Sequence, residues 1–197
     1  MTIAAKLVKE LRDRTGAGMM DCKRALQETG ADIEAAIDLL RSKGEAKAAK
    51  RADRAVNEGV VASYIHHGGR IGVLVELNCE TDFVANTDEF RTLARDIAMH
   101  VAASDPLAVA TDDIDSDVVE RERKIFADQV AREGKPEHIR DRIVEGKMAK
   151  FYRQSVLLEQ AFVKDPDKSV GELITETSAK TGENVRVARF ARFRIGG

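Results

Sequence analysis

The feature that most narrows the fold is a change of hydrophobic period near residue 55. In VVASYIHHGGRIGVLVELNC, residues Ile71, Val73, Val75 and Leu77 occupy every second position after the pair Gly68-Gly69. Alternation around a paired-glycine turn is the pattern of a β-hairpin with one buried face. Upstream the period is helical. Ala4, Leu7, Val8 and Leu11 recur at three- and four-residue steps, and the run stops at Thr15-Gly16-Ala17-Gly18, where glycine lets the backbone turn.

The same logic gives a second short helix from about Met20 to Glu28, with Cys22, Ala25 and Leu26 inward. A third restarts at Ala31-Asp32, carries Ile33, Ala36, Ile37 and Leu40, and ends near Gly44. Such a module can fold only marginally alone. The Ala-rich, charged stretch EAKAAKRADRAVN that follows reads as a solvated helix acting as a semi-rigid spacer. We therefore divide the chain into a helical module with the start of its spacer, 1–53, and a core, 54–197.

Beyond the hairpin, Phe90, Leu93, Ile97 and Val101 mark a helix, with Asn86 and Glu89 spaced as an N-cap and its reciprocal partner. A loop around Pro106 leads to two further helices, one carrying Val119, Ile125, Phe126 and Val130 and the other Ile139, Ile143, Met148 and Phe151. Ser169 and Glu172 form a capping box for a helix ending at Gly182, and VRVARFARFRI reads as a closing strand. Helices and strands segregate, so the fold class is α+β, an antiparallel sheet with packed helices behind a small helical module.

Charge limits the function. Of 197 residues 34% are charged, yet the formal net charge is −2, which argues against a bulk electrostatic nucleic-acid binder and leaves a local basic face open. No direct nucleic-acid contact is expected. The two cysteines, Cys22 and Cys79, have no metal-ligand or CxxC spacing and read as reduced thiols. No run approaches the roughly 20 apolar residues of a membrane span, so the expectation is a soluble, cytoplasmic chain.

The segment CETDFVAN departs most from routine design, because it sets an aromatic beside an aspartate in a strand-to-helix connection. Phe83 either plugs the local core or projects as an anchor for a partner. Asp82 suits a helix start in either case. Met19 and Met20 open the second helix, and burial of at least one is expected, since methionine fills irregular gaps. Adjacent His66 and His67 lack acidic or cysteine companions, so no metal site is read there.

SAKTGEN is not a phosphate loop, because no glycine immediately precedes Lys180. A nucleophile built on Cys79 with a histidine and Asp82 is set against the commoner buried, inert thiol. Arg186, Arg189, Arg192 and Arg194, interleaved with Phe190 and Phe193, allow an alternative reading as an RNA-binding strand. A solvated charged face with a bulge is the plainer reading.

Taken together, LRDRTGAGMMDCKRAL and LLRSKG resemble the N-terminal, ubiquitin-associated-like (UBA-like) module of the elongation factor Ts family. NEGVVASYIH and ETDFVAN resemble that family's core, LLEQAFVKD its later helix-to-strand passage, and GENVRVARFARF its final strand. The resemblance implies a guanine-nucleotide exchange factor of elongation factor Tu, with no covalent chemistry and no cofactor. It implies that the exchange motif is Thr81, Asp82, Phe83 and Val84, with the Asp82-Phe83 pair wedging beside the magnesium and phosphate region of the partner's G domain. It further implies that the N-terminal module grips the same domain through the region of Val8, Leu11, Arg12, Gly16, Met19 and Met20.

Two departures stand out. Asn86-Thr87 occupies a position where the family commonly continues TDFVARN, and Ala161 one where proline is common. The length is similar to short family forms that can pair as homodimers, and the sequence leaves homodimerisation open.

Overall fold

The structure, a computed structural model, describes residues 3–196; Met1, Thr2 and Gly197, the outer ends of the two expected domains, lie outside the described residues. The described residues begin with α1 (Ala5–Thr15), α2 (Met19–Glu28) and α3 (Ile33–Ala49). β1 (Glu58–Ile65) and β2 (Ile71–Cys79) follow, then a one-turn α4 (Asp82–Ala85) and α5 (Asp88–Ser104). The chain continues through α6 (Ser116–Arg132), α7 (Glu137–Ser155), β3 (Ala161–Phe162), β4 (Asp165–Ser169), α8 (Val170–Thr181) and β5 (Arg186–Arg194). β1, β2 and β5 form a small sheet in that order, and β3 pairs antiparallel with β4. The class is α+β.

Contacts group these residues into two compact units. One comprises the chain up to Val60 with Leu77–Arg91 and Leu173–Arg186; the other comprises Val61–Glu76, Thr92–Glu172 and the chain from Val187.

In the first unit, Val8, Leu11, Cys22, Ala25, Leu26 and Ala36 close a core between α1, α2 and α3. The helical period places them all inward. α1 ends because Gly16 is left-handed (φ 68°) and returns its N–H to the Arg12 carbonyl. Asp32 caps α3 by accepting from the Ala35 N–H at 3.0 Å.

α3 does not stop at Gly44 as expected. It runs on to Ala49, and a Cβ at Gly44 would meet Cβ of Ala179 on α8 at 3.1 Å, so this glycine serves close helix contact and not termination. Nor is the stretch after it a free spacer. Arg51 donates to the Ser178 carbonyl, while the Asn184 amide donates to the carbonyls of Ala52 (3.1 Å) and Arg54 (2.9 Å).

In β2, Val73, Val75, Leu77 and Cys79 are all buried, as the alternation requires. In the second unit α6 packs on α7 through Val130, Val144 and Met148. The capping box at α8 is present in both directions: Ser169 N–H donates to Glu172 at 2.7 Å, and Glu172 N–H donates to the Ser169 hydroxyl at 3.1 Å. His100 is fully buried; its Nε2 lies 2.9 Å from Gln160 Oε1, and its Nδ1 accepts from the Val163 N–H at 3.3 Å.

Candidate partner-binding corner

The turn of chain between β2 and α5 displays Phe83. Its relative exposure is 82%, which removes the core-plug alternative. Asp82 beside it is exposed, and Thr81 and Val84 are half-buried. α4 closes with Ala85 N–H to the Thr81 carbonyl (3.2 Å) and Asn86 N–H to the Asp82 carbonyl (3.0 Å).

Thr81 sits at the N-cap position without capping α4. Its hydroxyl instead donates to Glu183 Oε1 at 2.6 Å, and the N–H groups of Glu80 and Thr81 donate to Glu183 Oε2 at 3.1 and 3.0 Å. In return the Asn184 N–H donates to the Glu80 carboxylate at 2.6 Å. Glu80 and Arg54 complete the cluster as an ion pair at 3.4 Å.

The expected cap of α5 is displaced by one residue. Thr87 accepts from the Phe90 N–H at 3.3 Å and donates to the Val84 carbonyl at 2.8 Å. Asn86 instead donates to the Asp82 carbonyl and accepts from Arg91. Glu89 reaches Lys180 at 3.3 Å. A hydroxyl directly before the helix satisfies its N3 amide more readily than an amide side chain one residue further out.

Cys79 is no nucleophile. It is buried, its thiol donates to the Thr81 carbonyl at 3.1 Å, and burial, with help from the Glu183 charge, pushes its pKa up to about 11. His66 and His67 lie in the hairpin loop beyond β1, His66 beside the Tyr64 hydroxyl at 3.1 Å. Among the described residues no cluster of metal-ligating side chains occurs, and no helix is long and apolar enough to cross a membrane.

The second patch lies at the turn from α1 to α2. Arg12, Gly16, Met19 and Met20 are exposed there. The expectation that at least one methionine is buried fails: Met19 is 54% and Met20 64% exposed. They open α2 on its outer side, because Cys22, Ala25 and Leu26 take the inner stripe. Val8 and Leu11 are interior to the module core, so their side chains support the patch from behind. Next to it the Asp21 carboxyl is held below its usual range by a hydrogen bond from Arg24. Both patches belong to the same compact unit.

The family model described as elongation factor TS matches residues 1–197. The chain belongs to the elongation factor Ts family. It is similar to elongation factor Ts of Desulfosudis oleivorans, 56% identical over 195 residues that cover 99% of this chain and 98% of that protein. It is likewise similar to elongation factor Ts of Syntrophomonas wolfei, 60% identical over 194 residues, 98% of this chain and 91% of that protein. A third, from Thermosipho melanesiensis, is 55% identical over 98% of this chain and 99% of its own length. Membership in this elongation factor Ts family makes the chain a translation elongation factor.

Within that family frame the two departures acquire structural content. Thr87 supplies the α5 cap, and Ala161 is exposed at the start of β3. Sequence reasoning missed Glu183, Asn184 and Glu80, whose bonds join segments 102 to 104 residues apart. The one available signal was the acidic-amide pair directly after Gly182 in the motif GENVRVARFARF, which reads only as the approach to a strand.

Proposed function

We propose that this chain is the guanine-nucleotide exchange factor of elongation factor Tu, and that Asp82 and Phe83 are its lever. The observation that carries this reading is the exposure of Phe83 on a corner tied down by charge-assisted hydrogen bonds. An exposed aromatic beside a carboxylate is costly to keep in water and suited to a pocket on another protein. Arg12, Gly16, Met19 and Met20 supply the second contact, with Val8 and Leu11 behind them.

A GTPase that holds GDP at nanomolar affinity binds it by about 12 kcal/mol, and this affinity is what the factor has to weaken. Phosphate is cradled by backbone N–H groups and a magnesium ion, and a wedge that shifts either removes several charge-assisted contacts together. Linkage then requires nucleotide to weaken the factor as much as the factor weakens nucleotide, so incoming GTP expels it. Binding energy suffices, and the chain needs no covalent step.

The test is release of fluorescent GDP from elongation factor Tu with the native chain and with Phe83→Ala. Fast release by the first and slow release by the second is expected. Unaccelerated release by the native chain would end the exchange reading.

A second reading concerns self-association. Val61, Ile65, Leu74 and Phe193 are exposed on β1, β2 and β5, and a Cβ on Gly72 would lie 3.1 Å from Ile65 Cδ1, which sets those two residues on one sheet face. An apolar face of this kind suits a second copy of the chain. Sedimentation of the native chain as a dimer and of Leu74→Asp as a monomer is the expected outcome; a native monomer at micromolar concentration removes it. The RNA alternative loses support because Arg189 pairs with Glu76 at 2.7 Å and Arg192 with Asp105 at 3.0 Å.

A further inference from the structure

A one-turn helix is not stable by itself, because nucleation fixes several residues for very few hydrogen bonds. α4 has four residues, no side-chain cap, and an aromatic that contributes almost no burial. Something outside it must fix the direction in which Phe83 points.

A single carboxylate meets that need. Glu183 accepts the Glu80 N–H, the Thr81 N–H and the Thr81 hydroxyl, which belong to the two residues directly before Asp82. Glu183 is itself fixed. The Ser178 hydroxyl donates to its carbonyl at 2.5 Å, and the next residue, Asn184, is buried and bonded to Ala52, Arg54 and Glu80. The clasp is reciprocal, since each of Glu80 and Glu183 offers a carboxylate to the backbone on the other's strand of chain. Donors converging on an ionised acceptor make stronger and more directional bonds than neutral pairs.

We propose that Glu183 is the positioning residue of the exchange corner: it presets α4 so that Phe83 meets the partner already oriented. This inference rests on the exchange reading above. A lever that wobbles retains contact area and loses timing and aim, so loss of Glu183 shows in the GDP release rate at saturating factor more than in affinity for the partner.

The experiment uses the full chain and fluorescent GDP on elongation factor Tu, with amide hydrogen exchange alongside. Glu183→Ala is expected to lower the saturating release rate roughly tenfold, the loss of about one charge-assisted contact. Exchange at the Glu80 and Thr81 amides should accelerate while the α1–α3 module stays protected. Glu183→Gln keeps one acceptor oxygen for the two N–H groups and an amide that the Thr81 hydroxyl can accept from, and it should restore most of the rate. The double variant Phe83→Ala/Glu183→Ala should be slower than Phe83→Ala by much less than the roughly tenfold seen on the native background, because Glu183 acts through the Asp82–Phe83 corner.

A native release rate in Glu183→Ala with the two amides deprotected overturns the proposal, and so does a fully additive loss in the double variant. If Glu183→Ala fails to fold, Glu183→Gln and Thr81→Val carry the comparison. A partial loss in Thr81→Val that disappears on the Phe83→Ala background supports the proposal, and a native rate in both variants overturns it. Failure of the native chain to accelerate release would remove the exchange reading and this inference with it. Loss in Phe83→Ala without loss in Glu183→Ala removes this inference alone.

Discussion

Lys180 runs beneath Gly16: a Cβ on that glycine would stand 3.1 Å from Lys180 Cε, and the Lys180 ammonium continues to Glu89 at 3.3 Å. One side chain thus touches the turn between α1 and α2 and also the helix that follows the Phe83 corner. Gly16 is in the left-handed region (φ 68°), so alanine there meets both backbone strain and the lysine stem. Gly16→Ala should destabilise the protein by about 1–2 kcal/mol, read as a lower urea midpoint with unchanged slope. An unchanged midpoint would mean that the turn is soft.

Phe83 and Phe90 give a matched pair seven positions apart, one 82% exposed and the other fully buried. Phe83→Ala should change folding stability by no more than about 0.5 kcal/mol. Phe90→Ala should cost about 3–5 kcal/mol through the cavity it leaves. Chemical denaturation of the two variants side by side checks both. A large loss on truncating Phe83 would show that it packs in solution.

His100 sets a pH dependence. Burial lowers its pKa from the ordinary 6.5, the neutral ring being further engaged by the Val163 N–H on Nδ1. With the folded pKa below the unfolded one, the stability it contributes is full above pH 6.5 and is lost as pH falls toward the folded value. Denaturation at pH 7.5 and 5.5 should show a decline below 6.5 of at most about 1.4 kcal/mol per pH unit from this group. The decline should be smaller in His100→Gln; an equal decline there assigns the effect to other groups.

Cys22 and Cys79 are both buried, and burial is the main reason that both thiols titrate above their ordinary range. Iodoacetamide at pH 8 should leave the native chain unmodified and label both cysteines once urea unfolds it. Mass spectrometry reads the outcome, and rapid native labelling of Cys79 would show that the corner opens.

Local regularities in this chain were legible in advance. The Ser169–Glu172 box, the restart of the third helix at Ala31-Asp32, the α1–α3 stripes and the β2 alternation each depend on residues a few positions apart. Where neighbours several turns away intervened, local rules failed. Gly44 looks like a helix end until Ala179 is seen to need the space, and Met19 and Met20 look like gap fillers until Cys22, Ala25 and Leu26 are seen to take the inner stripe of α2.

By itself the sequence determined the class of fold, the order of its longer helices and of the strands β1, β2 and β5, the family and the existence of an unusual Asp-Phe corner, because periodicity and short motifs are written in adjacent residues. Only the tertiary structure decided that Phe83 faces solvent, that the stretch after α3 is docked, and that Glu183 ties down the corner. Exposure and hydrogen bonding depend on which distant segments arrive at the same place, and the bonds at Glu183 close loops of more than a hundred residues.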